Sequence, residues 1–346
     1  MFLRNYWYVA AKAGEVGSTP LARTFLSEPV VLFRRPDGTP VALEDRCCHR
    51  RVPLSLGQVV GNHIQCGYHG LEFAADGRCV AIPGQADIPA AARVRSYPVV
   101  DRHSWVWIWM GDPALADPAD ICDFHFFTDP AYGSRSTLFH VKANWQLIVD
   151  NLLDLTHLTY VHGRTIGNAA TTLKAEMGVD RREDGVTVTR WVIDAPPPPT
   201  YQIFGQFAGN VDRWQIIHHT APAFVRLNIG ASTTGTGARE GRRVDGINMW
   251  NLNAITPETE SSSHYFWGQA HEFSPHDGGV TDRIFAEIHR TFVEDLEVLE
   301  RQQQMFEYDP THAMLDIRAD AGSNAARRLL DQLHQAEQTG RVRAAE

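Results

Sequence analysis

Residues 46–70 read RCCHRRVPLSLGQVVGNHIQCGYHG and hold two mixed pairs, Cys47-x-His49 and Cys66-x-x-His69, sixteen residues apart. Structural zinc is usually held by Cys-x2-4-Cys and His-x3-5-His pairs, each from one knuckle. Here each pair joins one thiolate to one imidazole. A [2Fe-2S] centre with two Cys on one iron and two His on the other needs one ligand of each kind from each of two loops. The mixed pairs therefore favour that cluster over zinc. Unrelated core thiols and surface imidazoles would have to meet both spacings by coincidence. Only Cys47 satisfies Cys-x-His, so Cys48 is a spacer, expected as a small buried thiol beside the cluster.

Outward from this stretch, residues 1 to about 112 run as short apolar segments such as PVVLFRRPDGTPVALED and SWVWIWMGDP. Asp37-Gly38 and Asp76-Gly77 supply hairpin signals between them. This predicts an all-β domain over 1–115. The Pro- and Asp-rich DPALADPADICDF reads as a linker, and residues 116–346 as a second domain. In that domain NWQLIVDNLLDLTHLTYVHG has apolar residues at helical spacing, predicting a helix over about 142–161 that ends near Tyr160 and Gly163. VTVTRWVID, FVRLNIGAS and SSHYFWGQA read as strands of a twisted antiparallel sheet. Thr281–Phe306 is one long helix capped by Thr281 or Asp282, and NAARRLLDQLHQAEQ a last one. The expected class is α+β.

Length, composition and charge narrow the function. The 346 residues suit two domains, and no apolar run approaches the eighteen or so residues of a membrane span. The start, MFLRNYWYVAAK, lacks the parts of a secretory signal, so a cytoplasmic protein is expected. A net charge of -9 without a basic tract argues against nucleic acid as partner. Five cysteines, four of them between residues 47 and 79, point to a metal rather than a disulfide framework.

The predicted helix carries a second constellation, Asp154-x-x-His157-x4-His162. Two imidazoles and one carboxylate form the facial triad that holds Fe(II) and leaves positions open. Residues 157 and 162 diverge by roughly 140° on a regular helix, so the helix must end or widen between them. Glu294, Asp295, Glu297 and Glu300 on the late helix are candidate third ligands. Polar residues at a helix end are the alternative. His218 and His219, adjacent on a strand, point to opposite faces and read as one core and one surface residue.

RCCHRRVPLSLG and CGYHGLEFAADGRC resemble the cluster motifs of Rieske non-haem iron oxygenases. FVEDLEVLERQQQ, NYWYVAA, GDPALADP, NAITPETESSSHYFWG and AGSNAARRLLDQLHQAE are similar to the vanillate and dicamba O-demethylase branch, most of all to the vanillate subunits. The resemblance spans the chain and implies a Rieske domain followed by a helix-grip (START-like) catalytic domain. It implies that Cys47 and Cys66 hold one cluster iron and His49 and His69 the other, and that His157, His162 and Asp295 hold a mononuclear iron. It implies a head-to-tail homotrimer in which Asp154 bridges His157 of its own chain to His69 of the next. Asn151 joins Asp154 as a candidate catalytic residue.

The implied reaction is oxidative O-demethylation of a methoxy-substituted aromatic acid such as vanillate with O2, giving a phenol and formaldehyde. Electrons would come from NADH or NADPH through a separate flavin and iron-sulfur reductase, since the chain has no GxGxxG fingerprint. Asn228, Trp250, Asn253, Phe266 and Phe285 are the candidate pocket residues. The chain departs from the dicamba enzyme where that enzyme has a pocket Trp, here Phe285 and Ala286, and a pocket His, here Asn253. That argues against dicamba as substrate. Alternatives are methyl or ring hydroxylation or N-demethylation on the same machinery, and a zinc-stabilised small-molecule binding protein.

Overall fold

The computed structural model describes residues 1–162, 175–243 and 246–340 and forms two compact units, Met1–Asp123 with Thr256–Glu260, and Phe124–Ile255 with Ser261–Glu346. Gly163, expected to end the first helix, lies outside the described residues.

The first unit is all-β. Its strands are β1 (Trp7–Lys12), β2 (Leu21–Phe25), β3 (Glu28–Arg34), β4 (Pro40–Glu44), β5 (Gln58–Val60), β6 (His63–Gln65), β7 (Glu72–Phe73), β8 (Cys79–Ala81), β9 (Ser96–Tyr97), β10 (Val99–Arg102) and β11 (Trp105–Trp109). They form sheets in the orders β1-β11-β10, β2-β3-β4-β9 and β5-β6-β7-β8. Val31, Phe33, Leu43, Leu54, Ile64 and Phe73 make one core that also takes in Cys47 and Cys66. The cluster loops are thus anchored on packed apolar side chains, each contributing on the order of 2 kcal/mol on burial.

The second unit is α+β. Its strands are β12 (Gly133–Val141), β13 (Glu176–Arg181), β14 (Gly185–Ala195), β15 (Val211–Thr220), β16 (Phe224–Thr233), β17 (Gly246–Pro257) and β18 (Ser263–His271), in one sheet of order β12-β18-β17-β16-β15-β14-β13. Its helices are α1 (Trp145–Leu153), α2 (Leu158–Val161), α3 (Pro199–Gly205), α4 (Gly278–Tyr308) and α5 (Ala321–Gln338). The long helix starts earlier than its sequence suggests. Asp277 caps it by accepting from the N–H groups of Gly279 (2.9 Å) and Val280 (3.1 Å), while Thr281 is buried and hydrogen-bonded to His271. Asp150 on α1 accepts from Arg327 Nε on α5 at 2.9 Å, tying the two helices together.

The expected continuous helix over 142–161 is interrupted at Asp154. That residue is extended (φ -110°, ψ 105°), and its carboxylate accepts from Thr156 N–H at 2.7 Å. A 3-10 turn, Leu155–His157, then leads into α2. The short polar side chain competes with the helix for a backbone donor and wins. The break therefore comes eight residues before His162 rather than near Tyr160.

Candidate metal centres and cavity

The two cluster loops repeat one backbone geometry. Cys47 N–H donates to Val52 O (2.9 Å) and Arg51 N–H to Cys47 O (2.9 Å); Cys66 N–H donates to Leu71 O (2.8 Å) and Gly70 N–H to Cys66 O (3.0 Å). Each loop closes on a left-handed residue, Arg51 (φ 61°) and Gly70 (φ 72°). For Arg51 that conformation costs roughly 1 kcal/mol. Gly57 and Gly67 let the loops approach, since a Cβ at Gly57 would land on the Gln65 carbonyl oxygen and one at Gly67 would meet Leu56 O at 2.7 Å.

Within this frame the cysteines point inward and the histidines outward. Cys47 and Cys66 are buried, and the rings of the exposed His49 and His69 lie 4.6 Å apart. Burial, with the neighbouring Cys66 adding to it, pushes the Cys47 thiol up to about 11. Such a thiol becomes a ligand only with a cation beside it, which lowers its pKa. Two inner sulfurs and two outer imidazoles suit the two irons of a Rieske cluster. Cys48 is exposed rather than buried, because with Cys47 turned into the core the next side chain faces out.

In the second unit the interruption at Asp154 brings His157 and His162 to one spot, ring centroids 5.2 Å apart. Asp295 on α4 completes the group, with all three ligand atoms within 4.8 Å of one another. Asp295 Oδ1 lies 3.1 Å from His162 Nε2 and 3.5 Å from His157 Nε2. Two cis ligands about 2.1 Å from one metal sit roughly 3 Å apart, and the two carboxylate–imidazole separations are close to that, so this donor set suits a small divalent ion.

The surrounding groups fix the ligands. His162 Nδ1 meets Glu294 Oε2 at 2.7 Å, and His157 Nδ1 meets the Asp154 carbonyl at 2.6 Å, which leaves both Nε2 atoms directed at Asp295. Asn151 Nδ2 donates to Asp295 Oδ1 at 3.2 Å. Burial lowers the His157 pKa, keeping the ring neutral as a ligand must be; burial also pulls on His162, but Asp295 and Glu294 outweigh it and hold that pKa above its ordinary value. The Asp154–His157 contact expected through the carboxylate is made by the main-chain carbonyl, because the carboxylate caps the next turn.

A cavity with an empty volume of about 590 Å³, its mouth included, opens onto these residues. Leu152, Leu155, Leu158, Ile229, Ile288 and Phe292 supply much of its wall, and Arg213, Gln215 and Asn251 are among its polar groups.

The five expected pocket residues do not line it. Strand side chains alternate, so Gln215, Ile229 and Met249, paired across β15, β16 and β17, share the cavity face while their neighbours lie on the other. Asn228 and Trp250 are those neighbours, and Asn228 accepts from Trp214 Nε1 at 3.0 Å. Asn253 is on the right face but further along, holding Val225 O (2.8 Å) and Tyr265 Oη (2.6 Å). Phe285 packs on Trp267 with centroids 5.0 Å apart, and Phe266, between the α4-facing Tyr265 and Trp267, lies on the opposite face of β18. Arg213 and Gln215 have no counterpart among the residues expected from the sequence, and Glu294, there a candidate third ligand, instead holds His162 Nδ1. Arg213 and Gln215 carried little signal, since their strand, VDRWQIIHHT, also holds Asp212, His218, His219 and Thr220.

The profile described as the vanillate O-demethylase oxygenase C-terminal domain matches residues 141–336, more than half of the chain, and the Rieske [2Fe-2S] domain matches 6–98. The chain belongs to the vanillate O-demethylase oxygenase family. Within that family it is 47% identical to a putative toluene-4-sulfonate monooxygenase system iron-sulfur subunit of Comamonas testosteroni, over 98% of this chain and 99% of that one. It is 36% identical to a vanillate O-demethylase oxygenase subunit of a Pseudomonas strain, over 98% and 96%. Dicamba monooxygenase bound to 3,6-dichlorosalicylic acid superposes with a TM-score of 0.89 at 36% identity, covering 97% of this chain and 99% of that one. The same enzyme with non-heme iron and dicamba superposes at 0.76, with 35% identity and 98% and 99% coverage. Like these family members, the chain is the oxygenase component of a Rieske monooxygenase that uses a [2Fe-2S] cluster and mononuclear iron. Oxygenase components of this kind act with a separate reductase. No described helix is long and apolar enough to cross a membrane.

Proposed function

We propose that the chain oxidises a methyl group carried by a small aromatic acid, in the first instance the O-methyl group of a methoxy-substituted acid such as vanillate. The observation that carries this reading is the opening of the His157–His162–Asp295 group onto a narrow, largely apolar cavity closed to bulk water on most sides. Leu155, Ile229 and Phe292 offer apolar walls for a flat ring, and a ring held against them would present a methyl substituent to the triad. Iron bound there supplies O2 activation, with electrons arriving through the [2Fe-2S] centre. The balance is one methoxyarene, O2, two electrons and two protons giving a hemiacetal and water; the hemiacetal C–O bond then breaks to give a phenol and formaldehyde.

Roles follow for the residues around the cavity. His157, His162 and Asp295 hold the metal, and Cys47, Cys66, His49 and His69 the cluster. Glu294 and the Asp154 carbonyl fix the imidazole rings, and Asn151 fixes the Asp295 carboxylate. The leucines and Phe292 exclude water, so reducing equivalents are spent only with substrate in place. The exposed His69 is suited to meet Asp154 of another copy in a head-to-tail homotrimer, and NADH or NADPH feeds the electrons through a flavin and iron-sulfur reductase in the cytoplasm.

The 47% identity to a toluene-4-sulfonate monooxygenase subunit favours a second reading, hydroxylation of an aryl methyl group to the benzyl alcohol. Incubation with a surrogate reductase separates them. Formaldehyde from vanillate supports demethylation, a hydroxymethyl product from toluene-4-sulfonate supports the second reading, and ring hydroxylation with the methyl group intact overturns both.

A further inference from the structure

We propose that Asn251 is a specificity-determining residue that selects a phenolic hydroxyl on the aromatic substrate, the hydroxyl donating a hydrogen bond to its Oδ1. This rests on the reading above that a small methyl-bearing aromatic occupies the cavity, and adds a second substituent to that ring.

Asn251 stands on β17 opposite Leu227 of β16, lines the cavity together with the metal-binding group, and is only 5% exposed. Its Oδ1 is buried and, among the described residues, has no hydrogen-bond partner. Asn253, two residues on and on the same face, is the contrast. Its Nδ2 donates to Val225 O at 2.8 Å and to Asn251 O at 3.3 Å, and its Oδ1 accepts from Tyr265 Oη at 2.6 Å. Asn253 is thus a structural carboxamide engaged at both ends. It pins the Asn251 main chain and leaves the Asn251 side chain to the cavity. A buried acceptor without a donor destabilises the fold, and a ligand that supplies the donor offsets that cost. A site of this kind also rejects an analogue lacking the hydroxyl, since its own buried oxygen is then left unpaired.

Gln215 gives the cavity a second sheet carboxamide of opposite polarity. Its Oε1 accepts from Arg190 Nη1 at 2.6 Å, so the donor Nε2 is the end left for a ligand. Gln215 pairs with Ile229, and Ile229 with Met249, two residues before Asn251. With strands about 4.8 Å apart and a rise of about 3.4 Å per residue, the Cα atoms of Gln215 and Asn251 lie about 12 Å apart. Leu227 and Ile229 on the intervening strand form an apolar floor between them, wide enough for one substituted ring. A hydroxyl at the Asn251 end and an acceptor oxygen at the Gln215 end match in one orientation only. Reversing the ring sets acceptor against acceptor and loses both bonds.

The test measures binding by calorimetry to the metal-loaded, oxidised protein without reductase, so it does not depend on turnover. The ligands are vanillate, which carries a hydroxyl beside its methoxy group, 3,4-dimethoxybenzoate, in which that hydroxyl is capped, and 3-methoxybenzoate, in which it is absent. The pair 2-methoxyphenol and 1,2-dimethoxybenzene repeats the comparison without the acid. Wild-type protein is expected to bind each phenol at least 10-fold more tightly than its capped or dehydroxylated analogue. Asn251→Leu, close in volume, is expected to lose about 10- to 100-fold for the phenols and less than 3-fold for the others. Asn251→Asp, which keeps an acceptor oxygen, should retain the hydroxyl preference while weakening all the acids alike. Toluene-4-sulfonate has no hydroxyl and should bind wild type and Asn251→Leu equally. Equal binding of phenols and capped analogues by the wild type, or an undiminished preference in Asn251→Leu with the cluster spectrum retained, overturns the inference. A hydroxyl preference without oxidation of any methyl group would instead overturn only the reading it rests on.

Discussion

Removing the Glu294 carboxylate should weaken iron binding without disturbing the cluster. Glu294 Oε2 lies 2.7 Å from His162 Nδ1, on the ring whose other nitrogen faces Asp295. A hydrogen bond to a charged group contributes about 1.5–3 kcal/mol, or roughly 10- to 150-fold in an equilibrium constant. His162 is buried at 1% exposure but the Glu294 side chain is 36% exposed, so water screens the carboxylate and the lower end applies. We expect Glu294→Ala to bind Fe(II) about 10- to 30-fold more weakly and Glu294→Gln, which keeps an acceptor but not the charge, about 5-fold. Anaerobic titration of apo-protein with Fe(II) reads this directly, with the [2Fe-2S] absorption as internal control. Unchanged Fe(II) affinity in Glu294→Ala would refute the orienting role.

Three further outcomes follow. Gly57→Ala should lose the [2Fe-2S] absorption and acid-labile sulfide, because its Cβ would land on the Gln65 carbonyl oxygen and force the cluster loops apart; full sulfide content would contradict this. Asp154→Asn should retain both metals and lose turnover, read by metal analysis beside single-turnover product formation; normal turnover would remove the bridging role. His219 is fully buried on β15 and burial pushes its pKa down to about 4. Its folded state disfavours the proton, so the stability it contributes is complete above the unfolded value near 6.5 and falls as pH drops toward 4. Urea unfolding at pH 7 and pH 5 should show roughly 2 kcal/mol more loss in the wild type than in His219→Gln; parallel losses would contradict it.

Spacing made the cluster legible. Cys47, His49, Cys66 and His69 each sit in short loops whose ligands are near neighbours in sequence, so little depends on the rest of the fold. Asp295 was legible through resemblance alone, because nothing in VEDLEVLERQ distinguishes its inward turn from the solvated acids around it. The break at Asp154 escaped the helical periodicity, which continues past it; one side chain accepting from Thr156 N–H outweighs the apolar pattern. The pocket residues on β16 and β17 failed for a different reason. A strand exposes alternate residues to opposite faces, and a choice of Asn228 and Trp250 over Leu227, Ile229 and Asn251 lands on the wrong face. Arg213 stands in a strand that mixes Asp212, Gln215 and two histidines with apolar residues, so only the fold shows that it lines the cavity.

The central claim is that this chain oxidises a methyl group on a small aromatic acid. Its most direct test is a single turnover: protein loaded with both metals, reduced stoichiometrically, mixed with vanillate or toluene-4-sulfonate and O2, with products quantified. Formaldehyde with the demethylated phenol from vanillate, or the benzyl alcohol from toluene-4-sulfonate, is the predicted result. A ring-hydroxylated product with its methyl group intact, or no product although both metals are reduced, would contradict it.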